Sequence, residues 1–256
     1  MPSLVSTCAL AVLFYMTVLF LIALVREDNS LADIAWGPGF ILVAALSYVR
    51  QPVHGPRAVL VGGLVLAWGL RLALHVFVRN RKRGEDFRYA RWRREWGRWF
   101  VLRSYFQVFL LQGCLLLVIA YPLMLVNRAP GGPLGVRDCA GSALWLLGFF
   151  FETVGDAQLL RFKRDPANKG RLIASGLWRT TRHPNYFGEA TMWWGIFLIA
   201  LGAPGGWTAA VSPALITFLL LRVSGVRMLE KKYEGNPEFD AYARRTSAFI
   251  PWFPKK

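Results

Sequence analysis

Apolar residues along this chain gather into seven runs, near 4–25, 31–49, 58–78, 104–127, 140–160, 186–203 and 207–223. Each is close to the roughly 20 residues that carry a helix across the hydrocarbon layer of a bilayer. Between them lie short stretches rich in charge, glycine and proline, and the polar groups inside the runs are few enough to be weighed singly. The pattern predicts an all-α integral membrane protein with about seven transmembrane helices. The first run has no basic stretch ahead of it, and Arg26-Glu27-Asp28 follows Val25 without a small-residue cleavage site, so it is expected to be a retained helix rather than a signal peptide. No repeat at fixed period occurs and no linker is long enough to divide the chain. A single domain over residues 1–256 is therefore expected.

Charge changes the picture next. The chain carries 31 Lys and Arg against 15 Asp and Glu, a net +16. Such an excess could serve nucleic acid, but its distribution gives a different reason for it. Of the basic residues, 26 fall in alternate segments (Arg26, 79–103, 161–182 and 222–256). Four (Arg50, Arg57, Arg128 and Arg137) fall in the intervening ones, and Arg71 lies within a span. That asymmetry predicts an N-terminus outside and a C-terminus in the cytoplasm. The chain is expected in a bacterial inner membrane, with anionic lipid as a partner for the excess charge and no role for nucleic acid.

Several chemistries are absent. Cys8, Cys114 and Cys139 form no CxxC pair and read as structural. The three histidines are scattered, so no metal is expected. No GxGxxG, P-loop or GxSxG occurs, which excludes a soluble dinucleotide fold and a kinase.

The densest chemistry lies in Gly176-Leu177-Trp178-Arg179-Thr180-Thr181-Arg182-His183-Pro184-Asn185-Tyr186-Phe187-Gly188-Glu189. Arginine clamps phosphate or carboxylate bidentately. Pro184 suits the first turn of a helix beginning there, whose N–H groups favour an anion. The stretch reads as a site for an anionic cofactor.

Polar groups inside the spans are costly and usually functional. Asp33 lies about one turn before Gly37-Pro38-Gly39, which is expected to interrupt the second helix. Asp33 is either an N-cap at the interface or an active-site group. Arg71, His75 and Arg79 recur at i, i+4 and i+8 with Trp68 on the same side, so they face either a polar cavity or carboxylate partners such as Glu85, Asp86, Glu152 or Asp156. Glu152, Asp156 and Leu159 share a face of the fifth run, with Lys163 one turn on. These carboxylates could accept from a purine amine or ribose hydroxyls, or pair with Arg71 or His75. The tail after Arg222, Arg227 and Glu230 ends in a segment, 246–254, too apolar to float free, and is expected to fold back on the helices.

Asp156 through Lys163, Gly176-Leu177-Trp178, His183-Pro184-Asn185-Tyr186-Phe187-Gly188-Glu189 and the ending Phe249-Ile250-Pro251 resemble the C-terminal half of the steroid 5α-reductase family. Asp33-Ile34-Ala35-Trp36-Gly37, Arg79-Asn80 with Glu85-Asp86 and Arg88-Tyr89, and Arg245-Thr246-Ser247 are similar to its bacterial branch, DUF1295. The resemblance covers nearly the whole chain. The Arg-His-Pro-x-Tyr-x-Gly element is also shared with isoprenylcysteine carboxyl methyltransferases.

The resemblance implies a seven-helix oxidoreductase acting on CH–CH groups. It would bind NADPH in its C-terminal half, about 140–256, facing the cytoplasm. It would reduce an activated, enone-type C=C bond in a lipid-soluble, steroid-like substrate. By motif position Glu152, Asp156, Leu159, Lys163 and Asn185 would line the cofactor, with Arg222 and Arg227 from the tail. Arg179, Arg182, His183, Tyr186 and Glu189 join them by charge and position. Steroid reductases carry a Gln-Glu pair and a Tyr where Ala35-Trp36 and Trp68 fall here. Trp36 and Trp68 are accordingly expected in the substrate cavity, and the acid must come from Asp33, Tyr89 or His75, with Arg71 steadying developing enolate charge. The alternative is a membrane methyltransferase using S-adenosylmethionine, which has no phosphates and would need fewer arginines. Oligomeric state is not readable from the sequence.

Overall fold

The computed structural model describes residues 3–81, 84–129 and 131–255. Among them the chain is helical throughout, without strands, and a lone β-bridge joins Thr181 to Ser247. The helices are α1 (Leu4–Arg26), α2 (Leu31–Val49), α3 (Pro56–Asn80), α4 (Phe87–Trp96), α5 (Phe100–Ser104), α6 (Leu111–Ile119), α7 (Tyr121–Arg128), α8 (Val136–Arg164), α9 (Pro184–Ala200), α10 (Val211–Phe218), α11 (Val226–Lys231) and α12 (Pro237–Arg245). Among the described residues six stretches are long and apolar enough to cross a membrane: α1, α2, α3, Phe87–Ile119, α8 and Gly206–Lys231. The seventh apolar run is α9, whose 17 residues sit at the short end of what a span needs.

Two expectations change. The run at 104–127 is not one helix: it follows a π-helical turn at Tyr105–Leu110, ends at Ile119 and restarts as α7. Pro122, in the first turn of α7, has no N–H to continue the preceding ladder. Gly37-Pro38-Gly39 does not open the second helix, because α2 runs unbroken with Pro38 inside it. A membrane helix tolerates such a proline where neighbours serve the backbone, and Tyr15 Oη donates to the Ala35 carbonyl at 2.9 Å, beside the Ile34 carbonyl that Pro38 cannot serve. The flanking glycines act in packing instead, Gly37 lying on the backbone of Gly69.

Contacts divide the chain into two compact units. One runs to Leu134 and takes in Gly202–Gly206; the other comprises Gly135–Leu201 and Trp207 onward. In the first, α2 packs on α3. Phe40 sits edge-on between Trp36 and Trp68, with ring centroids 5.2 and 5.3 Å apart. Asn127 Nδ2 donates to Ser47 Oγ at 2.6 Å, satisfying two buried polar groups at once.

The second unit is built on α8 against α9. Gly141 faces Gly195, Gly148 faces Gly188, and Gly155 faces Pro184 and Asn185, so the helices run antiparallel with glycines seven residues apart along α8. A Cβ on Gly148 would fall 2.7 Å from the Met192 nitrogen, and one on Gly195 2.6 Å from the Gly141 carbonyl oxygen. Only bare backbone allows this approach, which is how helices associate where lipid removes the hydrophobic drive.

Candidate functional site

That approach places the polar residues of the second unit. α8 begins where Asp138 Oδ2 accepts from the Gly135 N–H at 2.8 Å, and runs 29 residues. Its fifth and sixth turns carry Glu152 and Asp156 into the contact with α9, where they are 3% and 7% exposed. α9 starts at Pro184, so Asn185 enters its first turn opposite Gly155. There Asn185 Nδ2 donates to Asp156 Oδ1 at 3.1 Å. The carboxylate sets the amide orientation, since the flipped amide would bring two acceptors together. Asn185 Oδ1 is thereby left buried with no hydrogen-bond partner. A buried acceptor without a donor costs about 1–3 kcal/mol, and a ligand hydroxyl, amine or amide would relieve it.

The neighbouring segment is locked by its own contacts. Leu177 N donates to Gln158 Oε1 at 3.0 Å, and Trp178 Nε1 to the Gly155 carbonyl at 3.1 Å. Arg182 binds Glu230 with both arms, Nε at 2.8 Å and Nη2 at 3.1 Å. Its Nη1 donates to the carbonyls of Ala243 and Thr246 at 3.1 and 2.6 Å, capping the C-terminal end of α12. His183 Nε2 lies 3.1 Å from Glu230 Oε1, and its ring stacks on Tyr186 at 5.6 Å.

The tail does fold back. Thr181 Oγ1 donates to the Phe249 carbonyl at 2.8 Å, Arg182 N to Ser247 O at 2.9 Å, and Trp252 N to Thr180 O at 2.9 Å. Tyr242 Oη donates to the Trp178 carbonyl. Burial pushes the Tyr242 phenol above its ordinary value, which keeps that donor neutral.

Of the residues singled out for a cofactor in this unit, the structure joins Asp156 to Asn185, and Arg182 and His183 to Glu230. Arg182 and His183 therefore hold the tail to the head of α9, and the arginine's arms are committed to protein acceptors rather than open to a phosphate. Tyr186, Leu159 and Glu189 are half-buried, while Lys163, Arg179, Arg222 and Arg227 are exposed.

A second polar cluster lies in the first unit. Asp33 Oδ1 accepts from Tyr89 Oη at 2.8 Å and Oδ2 from Arg88 Nη2 at 2.6 Å. Arg88 Nε also donates to Asp86 Oδ1 at 2.9 Å, and Ser30 Oγ accepts from Asp86 N at 2.8 Å. Glu85 takes both arms of Arg93, at 3.0 and 2.8 Å, and the Asn29 N–H at 3.0 Å. Burial disfavours the charge on Asp86, but the hydrogen bonds and charge of Arg88, with Arg79 farther off, outweigh it and hold its carboxyl below the ordinary value. Glu85 and Asp86 thus have Arg93 and Arg88 as their close partners. Arg71 and His75 are half-buried on successive turns of α3, and Trp68 and Tyr89 are each 2% exposed. Asn80 Nδ2, adjoining Arg79, is buried without an acceptor.

Sequence reasoning missed the roles of Arg93, Ser30 and Glu230 as partners. Nothing local pointed to Arg93 or Ser30; the one local signal in this cluster is Asp86 two residues before Arg88, an N-cap spacing, and in the structure Asp86 Oδ1 accepts the Arg88 N–H at 3.0 Å. Glu230 had none, because its partner lies 48 residues away.

Comparison with known proteins relates the sequence of this chain to a family. The model of the family described as "Protein of unknown function (DUF1295)" matches residues 19–246. An uncharacterized protein of Schizosaccharomyces pombe is 26% identical over 226 residues, covering 76% of this chain and 63% of that protein. The 3-oxo-5-alpha-steroid 4-dehydrogenase 1 of Bos taurus is 32% identical over 104 residues, 40% of this chain and 39% of the relative. The chain spans less than two thirds of the length of either curated relative. No solved structure matches. The chain belongs to the DUF1295 family.

Proposed function

We propose that this membrane protein catalyses the NADPH-dependent reduction of an activated, enone-type C=C bond in a lipid-soluble substrate, with steroid-like molecules in that class. The partial similarity to a protein named for oxidoreduction of a 3-oxo-steroid supports a reductase. The observation that carries the cofactor reading is the buried, unserved Asn185 Oδ1 beside Asp156.

The residues of the second unit fit such a cofactor. Asn185 offers an acceptor to a ribose hydroxyl, an amine or a carboxamide, and Glu152 and Asp156 offer carboxylates on the same helix face. Exposed Lys163, Arg179, Arg222 and Arg227 supply cations for a pyrophosphate and a 2′-phosphate. Arg182, His183 and Glu230 act indirectly, by fixing where α9 begins. When bound, the dinucleotide supplies a hydride. By residue type the candidate acids are Asp33, Tyr89 and His75, with Arg71 as the cation for developing enolate charge. The uneven distribution of basic residues supports a cytoplasmic cofactor side in a bacterial inner membrane.

The test is thermal stabilisation of the purified chain in detergent by NADPH, NADH or S-adenosylmethionine. A ligand at about 100 times its Kd adds roughly 2.7 kcal/mol. A shift with NADPH supports the reductase. A shift with S-adenosylmethionine and none with NADPH replaces it with the methyltransferase.

A further inference from the structure

The segment Phe87–Ile119 is longer than a membrane crossing requires. Its 33 residues span about 50 Å as helix, against a hydrocarbon layer of about 30 Å. About 13 residues are left over, and they fall at the charged end. Residues 87–104 hold six arginines (Arg88, Arg91, Arg93, Arg94, Arg98 and Arg103) against a single carboxylate, Glu95.

The chain breaks where this excess ends. Gly97 adopts φ 49° and ψ −125°, which is not helical, and a 3-10 turn over Gly97–Trp99 separates α4 from α5. A glycine reaches that conformation without a Cβ penalty, so α4 need not share the axis of the spanning helix.

The arginines divide by direction. Arg88 and Arg93 are held by Asp33, Asp86 and Glu85. Arg91, Arg94, Arg98 and Arg103 are exposed. Among the described residues Arg91 pairs with Glu95, the two side chains 68% and 47% exposed, a pair of the kind that contributes little. Aromatic rings interleave with them: Trp92 stacks on Trp96 at 5.1 Å, Arg98 lies 5.6 Å over Trp99, and Arg103 5.9 Å from Trp96. Phe87, Trp99 and Leu102 are each more than half exposed. Tryptophan beside exposed arginine is the composition of the headgroup layer, where the ring stays in the interface and the cation meets phosphate.

We propose that α4 lies in the membrane interface and that Arg91, Arg94 and Arg98, with Arg103 at the head of the spanning helix, bind the phosphates of anionic phospholipids. This proposal does not depend on the reductase reading.

Short-chain phosphatidylglycerol, phosphatidylcholine and inorganic pyrophosphate are titrated against the full chain in maltoside detergent, and the unfolding midpoint is followed. Each cation near an anionic surface is worth roughly a fivefold gain in partitioning, about 100-fold for three. Phosphatidylglycerol is expected to stabilise the native chain, and the variant R91K/R94K/R98K nearly as well. R91Q/R94Q/R98Q should need about 100-fold more lipid for the same shift. Equal response to phosphatidylcholine or to pyrophosphate, or an unchanged response in the Gln variant, overturns the proposal. Should the Gln variant not fold, salt decides with the native chain: a phosphatidylglycerol shift that keeps its full size in high salt also overturns it.

Discussion

Arg182 holds Glu230 through two parallel hydrogen bonds, at 2.8 and 3.1 Å, and spends its remaining arm on two carbonyls at the end of α12. One guanidinium thus ties together the start of α9, the end of the last apolar stretch and the tail. Arg182→Leu leaves Glu230 and two carbonyls without their donor, and should cost about 3 kcal/mol. Arg182→Lys recovers only part of this, because an ammonium lacks the planar fork. Unfolding midpoints measure the loss, and limited proteolysis should show earlier cutting between 232 and 255 in the leucine variant.

What the amino-acid order disclosed follows from the range of the interactions. The apolar runs are local, so the positions of α1, α2, α3, α8 and α9 were legible to within a few residues. The break at Pro122 and the intact helix through Pro38 were not: both are prolines, and neighbours such as Tyr15, 20 residues from Ala35, decide whether a helix survives one. At the candidate site, the i, i+4 spacing of Glu152 and Asp156 marked a face, and the structure puts that face against Asn185. The same reasoning took Arg182 and His183 as cofactor-binding residues because their partner, Glu230, lies far along the chain.

Glycine contact between α8 and α9 can be tested by adding one carbon. Gly188→Ala puts a Cβ 2.5 Å from the Gly148 carbonyl oxygen and against the Glu152 backbone, and backbone cannot rotate away. A loss of about 2 kcal/mol is expected. Gly63→Ala in α3 meets nothing within 4 Å and should be neutral or stabilising by up to about 1 kcal/mol. Equal unfolding midpoints for the two variants would contradict the packing described.

The Asp86 carboxyl is held below its ordinary value of 3.8 by Arg88. A depressed carboxyl contributes stability that is present above the ordinary value and is lost as pH falls through the lower folded value. The native chain should therefore lose stability below about pH 4 partly through this group. Asp86→Asn should be less stable at pH 7 and show a shallower acid loss. An identical acid slope in both proteins contradicts the assignment.

Tyr89→Phe removes the donor to Asp33 Oδ1 while Arg88 continues to serve Oδ2. About 1–2 kcal/mol of stability should go. Under the proposed reaction, turnover should fall while stabilisation by NADPH stays at its native size, because Tyr89 is assigned to proton transfer and is not among the cofactor-binding residues. A variant that loses both together would move Tyr89 from proton transfer to cofactor binding.

The central claim is that the buried acceptor on Asn185, held by Asp156, is there for NADPH. Calorimetric titration of NADPH into the purified chain and into Asn185→Ala tests it most directly. Saturable binding by the native chain and an affinity at least about 10-fold weaker in the variant, the value of one hydrogen bond to a buried group, is the predicted result. Native affinity in the variant, or no heat with NADPH where S-adenosylmethionine binds, would contradict it.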